Sequence, residues 1–366
     1  MTEQNLPKLI ETLLREDAFG HPTQPVQRIE THISQLLLVG PFAYKFKKAI
    51  NLGFLDFSSL EKRQHYCEEE LRLNRRLAAD LYLDVVGITG NNSNPRIDGE
   101  GEPFEYAVKM RRFDHVALLD AEAQAGTLDG EEIDGLIDLI LAFHTDIPRA
   151  PENSGFGQPQ CALDPVRENF DQIRPLLTGE AERAELQAIQ DWSEAEFVRI
   201  RPALERRRSE GRIRECHGDL HLGNIARIAG KPVPFDAIEF NPALRWIDVI
   251  SELAFLLMDL DGHGLRALSN RALDRYLESS GDRAALEVLP FYLCYRAMVR
   301  AKVARLRSAQ VGIDPVDRDH ALAEYQQRIR QARGYTRRTE PTLTITCGVS
   351  GSGKTYVSQQ LLEQQG

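Results

Sequence analysis

The residues best suited to chemistry lie in one short run, H-G-D-L-H-L-G-N at 217–224. It supplies a carboxylate at Asp219 and, five positions later, an amide at Asn224, on a loop with two glycines. Apolar runs on either side of a turn at 230–232 predict a hairpin that carries Asp236 near its end. We expect these three residues at one rim. One carboxylate would orient a hydroxyl, and the other two groups would hold Mg²⁺, as phosphoryl transfer from Mg-ATP requires.

This pattern, H-G-D-L-H-x-G-N followed by a hydrophobic hairpin that ends in Asp, resembles the aminoglycoside phosphotransferase family of kinase-like small-molecule kinases. It stands where protein kinases have their H-R-D…N and D-F-G elements. The likeness is strongest to two-part bacterial proteins in which such a kinase precedes a P-loop ATP-binding domain. The resemblance implies an α+β, bilobal protein-kinase-like fold, with a small antiparallel-sheet N-lobe and a mostly helical C-lobe. It also implies ATP and Mg²⁺ as cofactors, Asp219 as the catalytic residue, and Asn224 and Asp236 as metal ligands.

Composition excludes several other classes of protein. The chain has 366 residues, 42% of them hydrophobic and 27% charged, with a formal charge of -10. This acidic balance disfavours a nucleic-acid-binding protein. Five scattered cysteines without a C-x-x-C pair indicate reduced thiols. The charged N-terminus lacks a signal peptide, and no apolar run reaches the length of a membrane span. We therefore expect a cytoplasmic protein without a membrane or nucleic-acid partner, and the sequence leaves its oligomeric state open.

A predicted β-hairpin near residue 40 carries the candidate phosphate-binding lysine. The run 35–39, a Gly-Pro break and the alternating run 42–47 form this pattern. Lys45 and Lys47 lie on the same face of the second strand, so periodicity alone does not choose between them. The resemblance favours Lys45, because Ala43-Tyr44-Lys45 is similar to a V-Y-K triplet of the family. The family also often has a short phosphate loop before this strand, which makes Ser34 the expected donor there.

A strong helix is predicted over 59–79 and contains three consecutive glutamates, at 68–70. A kinase needs one helical glutamate to hold the strand lysine in place. The family's spacing to Leu77 implies that this residue is Glu70, and the other two glutamates are expected to be solvated.

Strands over 85–89 and 104–110, separated by a polar stretch, complete the expected N-lobe at 1–112. The chain is mostly helical afterwards, and the resemblance implies a C-lobe at 113–335 and a linker at 336–341. Residues 342–366 would then form an incomplete P-loop domain.

A β-rich run at 341–347 precedes a match to G-x-x-x-x-G-K-[ST]. In such a loop, glycines let backbone N–H groups surround phosphates, the lysine neutralises them and the hydroxyl ligates Mg²⁺. The residues concerned are Gly348, Gly351, Gly353, Lys354 and Thr355. The chain ends eleven residues past Thr355, so we expect a strand–loop–helix start of an α/β P-loop domain that contributes little to stability.

Several further residues have expected roles near these motifs. His217 resembles the family's structural loop histidine, and we favour this role over a zinc pair with His221, since no third ligand is evident. Glu239 is expected to face a second metal or a substrate amine. The resemblance implies that Asp248 braces the catalytic loop. Positions 296, 300 and 307 are arginines that share one helical face, which is expected to be solvated.

Three hypotheses about function follow. The first is an ATP- and Mg²⁺-dependent phosphotransferase that acts on a hydroxyl of a small molecule. The second is a nucleotide-binding regulatory module with little turnover, and the third is a P-loop ATPase or kinase whose first domain is regulatory. The sequence does not identify the acceptor.

Overall fold

The computed structural model describes residues 5–14, 19, 26–53, 55–337, 342 and 344–365. The chain divides into two compact units, Met1–Leu118 with Asn224–Leu244, and Leu119–Gly223 with Arg245–Gly366. None of the described helices is long and apolar enough to span a lipid bilayer.

The first unit contains a six-stranded antiparallel sheet in the order β1-β2-β3-β6-β4-β5. Its elements are α1 (Asn5–Leu13), β1 (Gln27–Glu30), β2 (Ser34–Val39), β3 (Phe42–Lys47), α2 (Leu60–Ala78), β4 (Tyr82–Asn91), β5 (Asn94–Ile97) and β6 (Glu105–Arg111). The predicted hairpin and helix are confirmed. Strand β5 was missed, because its polar sequence pairs with β4 at the edge of the sheet and has no apolar alternation.

Alternation along β3 divides its side chains between two apolar clusters. Tyr44 and Phe46 pack with α1, whereas Ala43 packs with residues of α2. Since successive strand residues point to opposite faces, Lys45 and Lys47 lie on the same face as Ala43, which α2 covers. The hairpin thereby directs two lysines towards a helix.

A second hairpin, β8 (Ile225–Ile228) and β9 (Lys231–Pro234), also belongs to the first unit. Its turn is formed by Ala229 and Gly230, with φ of 49° and 77°, as two-residue hairpin turns require. The predicted turn at 230–232 was therefore placed one residue late.

The predicted boundary at residue 112 assigned this hairpin to the second domain. In the structure β9 packs on α2, and Ala226 pairs with Leu118.

The second unit is mainly helical. Its helices are α3 (Leu119–Ala125), α4 (Gly130–Asp146), α5 (Pro159–Ile173), α6 (Glu180–Ser209), α7 (Val249–Gly262), α8 (Arg266–Ser280), α9 (Leu289–Ser308), α10 (Pro315–Tyr335) and α11 (Lys354–Gln365), and its strands are β7 (Ile213–Glu215) and β10 (Trp246–Asp248). Helix α7 is buried along most of its length and forms the core. A helix was predicted over 245–260, but in the structure it begins at Val249, because residues 246–248 pair with β7 instead.

The C-terminal segment departs from prediction in two ways. Residues 342 and 344–349 form no strand, whereas a β-rich run was predicted over 341–347, of which Pro341 and Leu343 lie outside the described residues. A strand needs a partner, and none of the described strands pairs with this segment. The predicted helix is present, and α11 packs against α8. Asn270 Nδ2 donates to the carbonyl oxygens of Leu362 and Glu363 at 3.2 Å, so the helix is attached rather than loose.

Candidate active site

The candidate phosphate-binding lysine is held by two carboxylates in the first unit. Lys45 Nζ donates to Glu70 Oε1 at 2.8 Å and to Asp236 Oδ1 at 2.5 Å. The side chain of Glu70 is fully buried, whereas that of Asp236 is 43% exposed. The helix-to-strand ion pair that the resemblance implied is therefore present, and Lys45 also lies beside a candidate metal ligand.

Lys47 is not a solvated alternative to Lys45. Its Nζ donates to Glu70 Oε2 at 2.7 Å and also binds Glu239, and both Lys47 and Glu239 are buried. The prediction that Glu239 faces a second metal or a substrate amine is thus not matched, because in the structure Glu239 pairs with a lysine of the same unit. The role of Lys47 here is to fix the other oxygen of Glu70.

These charges shift one another's pKa values. Burial alone would lower the pKa of Lys45, but attraction from Asp236 and then Glu70 holds it well above its usual value. Burial would raise the pKa of Glu70, yet Lys45 and Lys47 lower it to about 2. The pKa of Glu239 stays raised, because burial outweighs Lys47. Three carboxylates surround two ammonium groups, and the excess negative charge suits a divalent cation.

The two candidate metal ligands lie at the ends of the second hairpin. The N–H of Phe235 donates to the carbonyl oxygen of Asn224 at 2.9 Å, so Asp236 follows directly on a residue paired with Asn224. Asp236 has a φ of 65°, which is uncommon for a residue other than glycine and recurs at active sites. An amide and a partly exposed carboxylate are oxygen donors of the kind that Mg²⁺ accepts.

Two residues that the sequence did not reveal position this loop. The N–H of Asp236 donates to the hydroxyl of Tyr82 at 3.2 Å, and the N–H of Ala237 donates to Asn74 Oδ1 at 2.9 Å. Asn74 Nδ2 in turn donates to the carbonyl oxygen of Glu70 at 2.8 Å. One helix therefore orients both the lysine and the Asp236 loop. A polar residue four positions after Glu70, on the same helical face, was the available signal.

Ser34, the expected phosphate-loop donor, is the first residue of β2 and lies opposite Lys47. Its side chain is fully buried, and its Oγ has no hydrogen-bond partner among the described residues. A contact with phosphate would require this hydroxyl to become accessible.

The candidate catalytic residue, Asp219, lies in the second unit between two histidines. His221 Nε2 is 3.5 Å from Asp219 Oδ2, and His221 Nδ1 accepts the N–H of Gly223 at 3.1 Å. His217 is buried, and its Nδ1 accepts the N–H of Asp219 at 3.3 Å. The structural role predicted for His217 agrees with these contacts. Burial would raise the pKa of Asp219, but His221, followed by His217 and Arg300, holds it well below its usual range. Asp219 is therefore ionised at neutral pH.

Both polar groups of the Gly218 peptide are fixed by buried charged residues. Its N–H donates to Glu252 Oε2 at 2.7 Å, and its carbonyl oxygen accepts from Arg296 Nη1 at 3.1 Å. Arg296 also donates to the carbonyl oxygen of Ser251 at 3.1 Å. The expectation that Arg296 lies on a solvated face was wrong, because its side chain is buried and reaches from α9 to the loop that contains Asp219.

Of the other two arginines on that face, Arg300 is only partly exposed and pairs with Glu324 at 3.1 Å. Arg307 is half exposed and lies 3.6 Å from Asp317, in line with the expected solvated pairing.

The loop is anchored again one turn later, and not by Asp248. Asp259 Oδ2 accepts the N–H of Leu222 at 3.1 Å, and its Oδ1 accepts from Arg328 at 2.8 Å. Asp248 instead caps α7 and forms a two-bond ion pair with Arg207 at 2.6 and 2.8 Å. It is structural, as expected, but it does not itself brace the loop.

The second motif forms a loop that leads into α11. Gly351 and Gly353 both have φ of 79°, a left-handed conformation that favours glycine. Lys354 begins the helix, and its Nζ donates to the carbonyl oxygens of Gly348 and Val349 at 2.8 Å. Thr355 is exposed. The backbone of the loop therefore folds back onto the Lys354 side chain.

Comparison with solved structures assigns the architecture. Choline kinase from Cryptosporidium parvum Iowa II superposes with a TM-score of 0.52 and 11% identity, over 91% of this chain and 93% of that one. A thermostable mutant of aminoglycoside phosphotransferase APH(4)-Ia superposes with a TM-score of 0.51 and 11% identity, over 89% of this chain and 97% of that one. The chain has a kinase-like fold. An amicoumacin kinase in complex with AMP-PNP, Ca²⁺ and Ami also matches, with a TM-score of 0.50 and 11% identity over 85% of this chain and 90% of that one.

Sequence comparison identifies relatives of unknown function. No protein-family model matches the chain. Uncharacterized proteins of Mycobacterium tuberculosis and Mycobacterium bovis are 30% identical to it over 342 residues, which is 92% of this chain and 65% of each relative. The chain thus spans less than two thirds of the length of these relatives.

Proposed function

We propose that this chain is an ATP- and Mg²⁺-dependent phosphotransferase that moves the γ-phosphoryl group of ATP to a hydroxyl of a small molecule. The observation that carries the proposal is the position of Lys45 Nζ between Glu70 and Asp236. A strand lysine that is fixed by a helical glutamate, next to a metal-binding carboxylate, is what kinases use to hold the α- and β-phosphates. The kinase-like fold supports this function.

Asp219 is proposed to orient the acceptor hydroxyl. The acceptor oxygen forms a bond to the γ-phosphorus, the bond from that phosphorus to the bridging oxygen of ADP breaks, and the hydroxyl proton passes to the Asp219 carboxylate. Because His221, His217 and Arg300 keep the pKa of Asp219 low despite its burial, this carboxylate is a weak base. It therefore acts mainly by holding the hydroxyl in line and takes the proton late.

Asn224 and Asp236 are the residues that would hold Mg²⁺. When bound, the ion would neutralise phosphate charge. The excess of carboxylates around Lys45 and Lys47 and the exposed fraction of Asp236 support this assignment.

The acceptor is proposed to be a small molecule with a free hydroxyl. The fold neighbours include a choline kinase, an aminoglycoside phosphotransferase and an amicoumacin kinase, all named for small compounds. Since one fold hosts many substrates, these names do not select one.

A metabolite phosphorylation screen tests the function. The purified chain is incubated with ATP, Mg²⁺ and metabolite fractions, and products that have gained a phosphoryl group are identified by mass spectrometry. We expect at least one product with the wild type and none with Asp219→Ala. Asp191→Ala, on the exposed side of α6, is the matched control and should retain activity. ATP binding without any product would favour a nucleotide-binding regulatory module instead.

We also propose that residues 348–355 are a phosphate-binding loop for a second nucleotide. The left-handed glycines at 351 and 353 and the start of α11 at Lys354 support this assignment. Lys354 would exchange its two loop carbonyl partners for phosphate oxygens.

A further inference from the structure

A cavity of about 310 Å³ lies in the second unit beside the start of β7. This volume is within the range of small-molecule sites. None of the residues to which we assign phosphotransfer lines it. Its polar lining includes His144, Arg212, Arg214, Tyr276, Ser279 and Ser280.

The arginine side chains at this cavity are incompletely paired with carboxylates. Arg212 is 3.6 Å from Asp282, but Asp282 already accepts two hydrogen bonds from Arg207, at 2.8 and 2.9 Å. Arg214 donates only to the carbonyl oxygens of Thr145 and Ile147. Within the described part of the chain, Arg214 has no carboxylate partner.

Two further observations indicate a missing anion. The Nε atom of Arg212 is buried without a hydrogen-bond partner among the described residues, a state that costs free energy. Arg149 lies against Gly211 and pairs through its backbone with Arg214. Burial, and then repulsion from Arg149 and Arg212, lowers the pKa of Arg214. Arg212 and Arg214 thus line a cavity in which a ligand could supply the counter-charge, and Arg149 is the backbone partner of Arg214.

We propose that this cavity binds a small dianion, namely a phosphate group, either free or as part of a phosphorylated small molecule. Guanidinium groups match phosphate oxygens in geometry and form charge-assisted hydrogen bonds with them. Ser279 and Ser280 add hydroxyl groups to the same cavity. The site is separate from the proposed phosphotransfer residues, so its existence does not depend on that function.

A chain of hydrogen bonds links the cavity to the loop that contains Asp219. The hydroxyl of Tyr276 is 2.9 Å from His144 Nδ1, and His144 Nε2 is 3.1 Å from Glu252 Oε1. The other oxygen of Glu252 accepts the N–H of Gly218. Anion binding beside Tyr276 and His144 is therefore expected to slow exchange of the Gly218 amide hydrogen.

Calorimetric titration with inorganic phosphate, and separately with glycerol phosphate, tests the site. Arg212→Gln and Arg214→Gln should each weaken binding of the phosphate group by about tenfold or more, since each removes a charged donor. Arg206→Gln, an exposed arginine at the end of α6 that pairs with Glu287, is the matched control and should bind as wild type does. Lys45→Ala and Lys354→Ala should also leave this binding event unchanged, which separates it from the nucleotide sites.

The two ligands distinguish the possible sources of the phosphate group. Tighter binding of glycerol phosphate would indicate a phosphorylated metabolite, and equal binding would indicate that free phosphate suffices. If Arg214→Gln fails to fold because it loses the carbonyl contacts, Arg212→Gln and Ser279→Glu, which introduces a competing carboxylate, decide the question. Hydrogen exchange over 217–222 should slow with phosphate in the wild type only. No binding to the wild type, or unchanged affinity in Arg212→Gln and Ser279→Glu, would overturn the proposal.

Discussion

Lys45 Nζ lies 2.8 Å from Glu70 Oε1, a contact between a central strand and the helix that covers it. The other oxygen of Glu70 binds Lys47, so the carboxylate cannot rotate away without breaking two buried ion pairs. In such an arrangement the glutamate is a positioning residue, and the lysine is the group that would contact phosphate.

Glu70→Gln should therefore act through Lys45. We expect Lys45→Ala to lower kcat/KM by about 100-fold or more and Glu70→Gln to lower it less. The double variant should be clearly less impaired than the product of the two effects, because both remove the same interaction. The readout is steady-state kinetics on the product found in the screen. Glu69→Gln, on the same helix but paired with Arg72 at the surface, is the control. Multiplicative losses in the double variant would show that Lys45 and Glu70 act independently.

Asp236→Ala should weaken Mg-ATP binding by about tenfold or more, since it deletes a charged ligand of the proposed metal. The affinity for ATP measured in excess EDTA should change much less. Calorimetry with and without Mg²⁺ separates these effects, and Asp56→Ala, which removes a partly exposed carboxylate paired with Lys62, is a control. An identical Mg-ATP affinity in Asp236→Ala would remove this residue from the metal site.

Arg296→Lys tests whether the Gly218 peptide must be held in place. Lysine keeps the charge but cannot reach the carbonyl oxygens of Gly218 and Ser251 with the same fork of donors. We expect kcat to fall by about tenfold, because the variant loses one or two hydrogen bonds to these carbonyl oxygens. KM for ATP should stay close to that of the wild type. Arg307→Lys, farther along the same helix, should be silent. Equal losses in both variants would point to general destabilisation.

The sequence indicated the candidate site residues but not the side chains that position them. Strand alternation placed Lys45 and Lys47 on one face without choosing between them, and the family resemblance supplied Lys45, Glu70 and the loop residues. Glu252, Arg296 and Asp259 could not be found in this way. Each contacts the loop that contains Asp219 only after α7 and α9 pack beside it, and each lies more than 30 positions away along the chain.

The errors in secondary structure have a similar cause. Residues 246–248 resemble the start of a helix locally, but they pair with β7. Strand β5 is polar and forms because β4 offers an edge. Tertiary pairing outweighs local propensity in both places.

Lys354→Ala tests the second motif. If residues 348–355 form a nucleotide site in this chain, the wild type should bind two ATP molecules and the variant one, because the lysine is the loop's main counter-charge for phosphate. Equilibrium dialysis gives this stoichiometry. One ATP bound by both proteins would overturn this assignment, and it would match the expectation from the sequence that a P-loop segment without partner strands lacks support. If Lys354→Ala still bound two ATP molecules, the proposed phosphate-binding role of this lysine would be contradicted.

Transfer of labelled γ-phosphate from ATP to an acceptor, compared between the wild type and Asp219→Asn, decides whether Asp219 acts in phosphotransfer. Asparagine keeps the shape of the side chain but cannot accept the hydroxyl proton. We expect transfer to fall by at least about 100-fold, while Mg-ATP affinity stays within a few-fold of the wild type. Transfer at the wild-type rate in Asp219→Asn would contradict the proposed function of this residue.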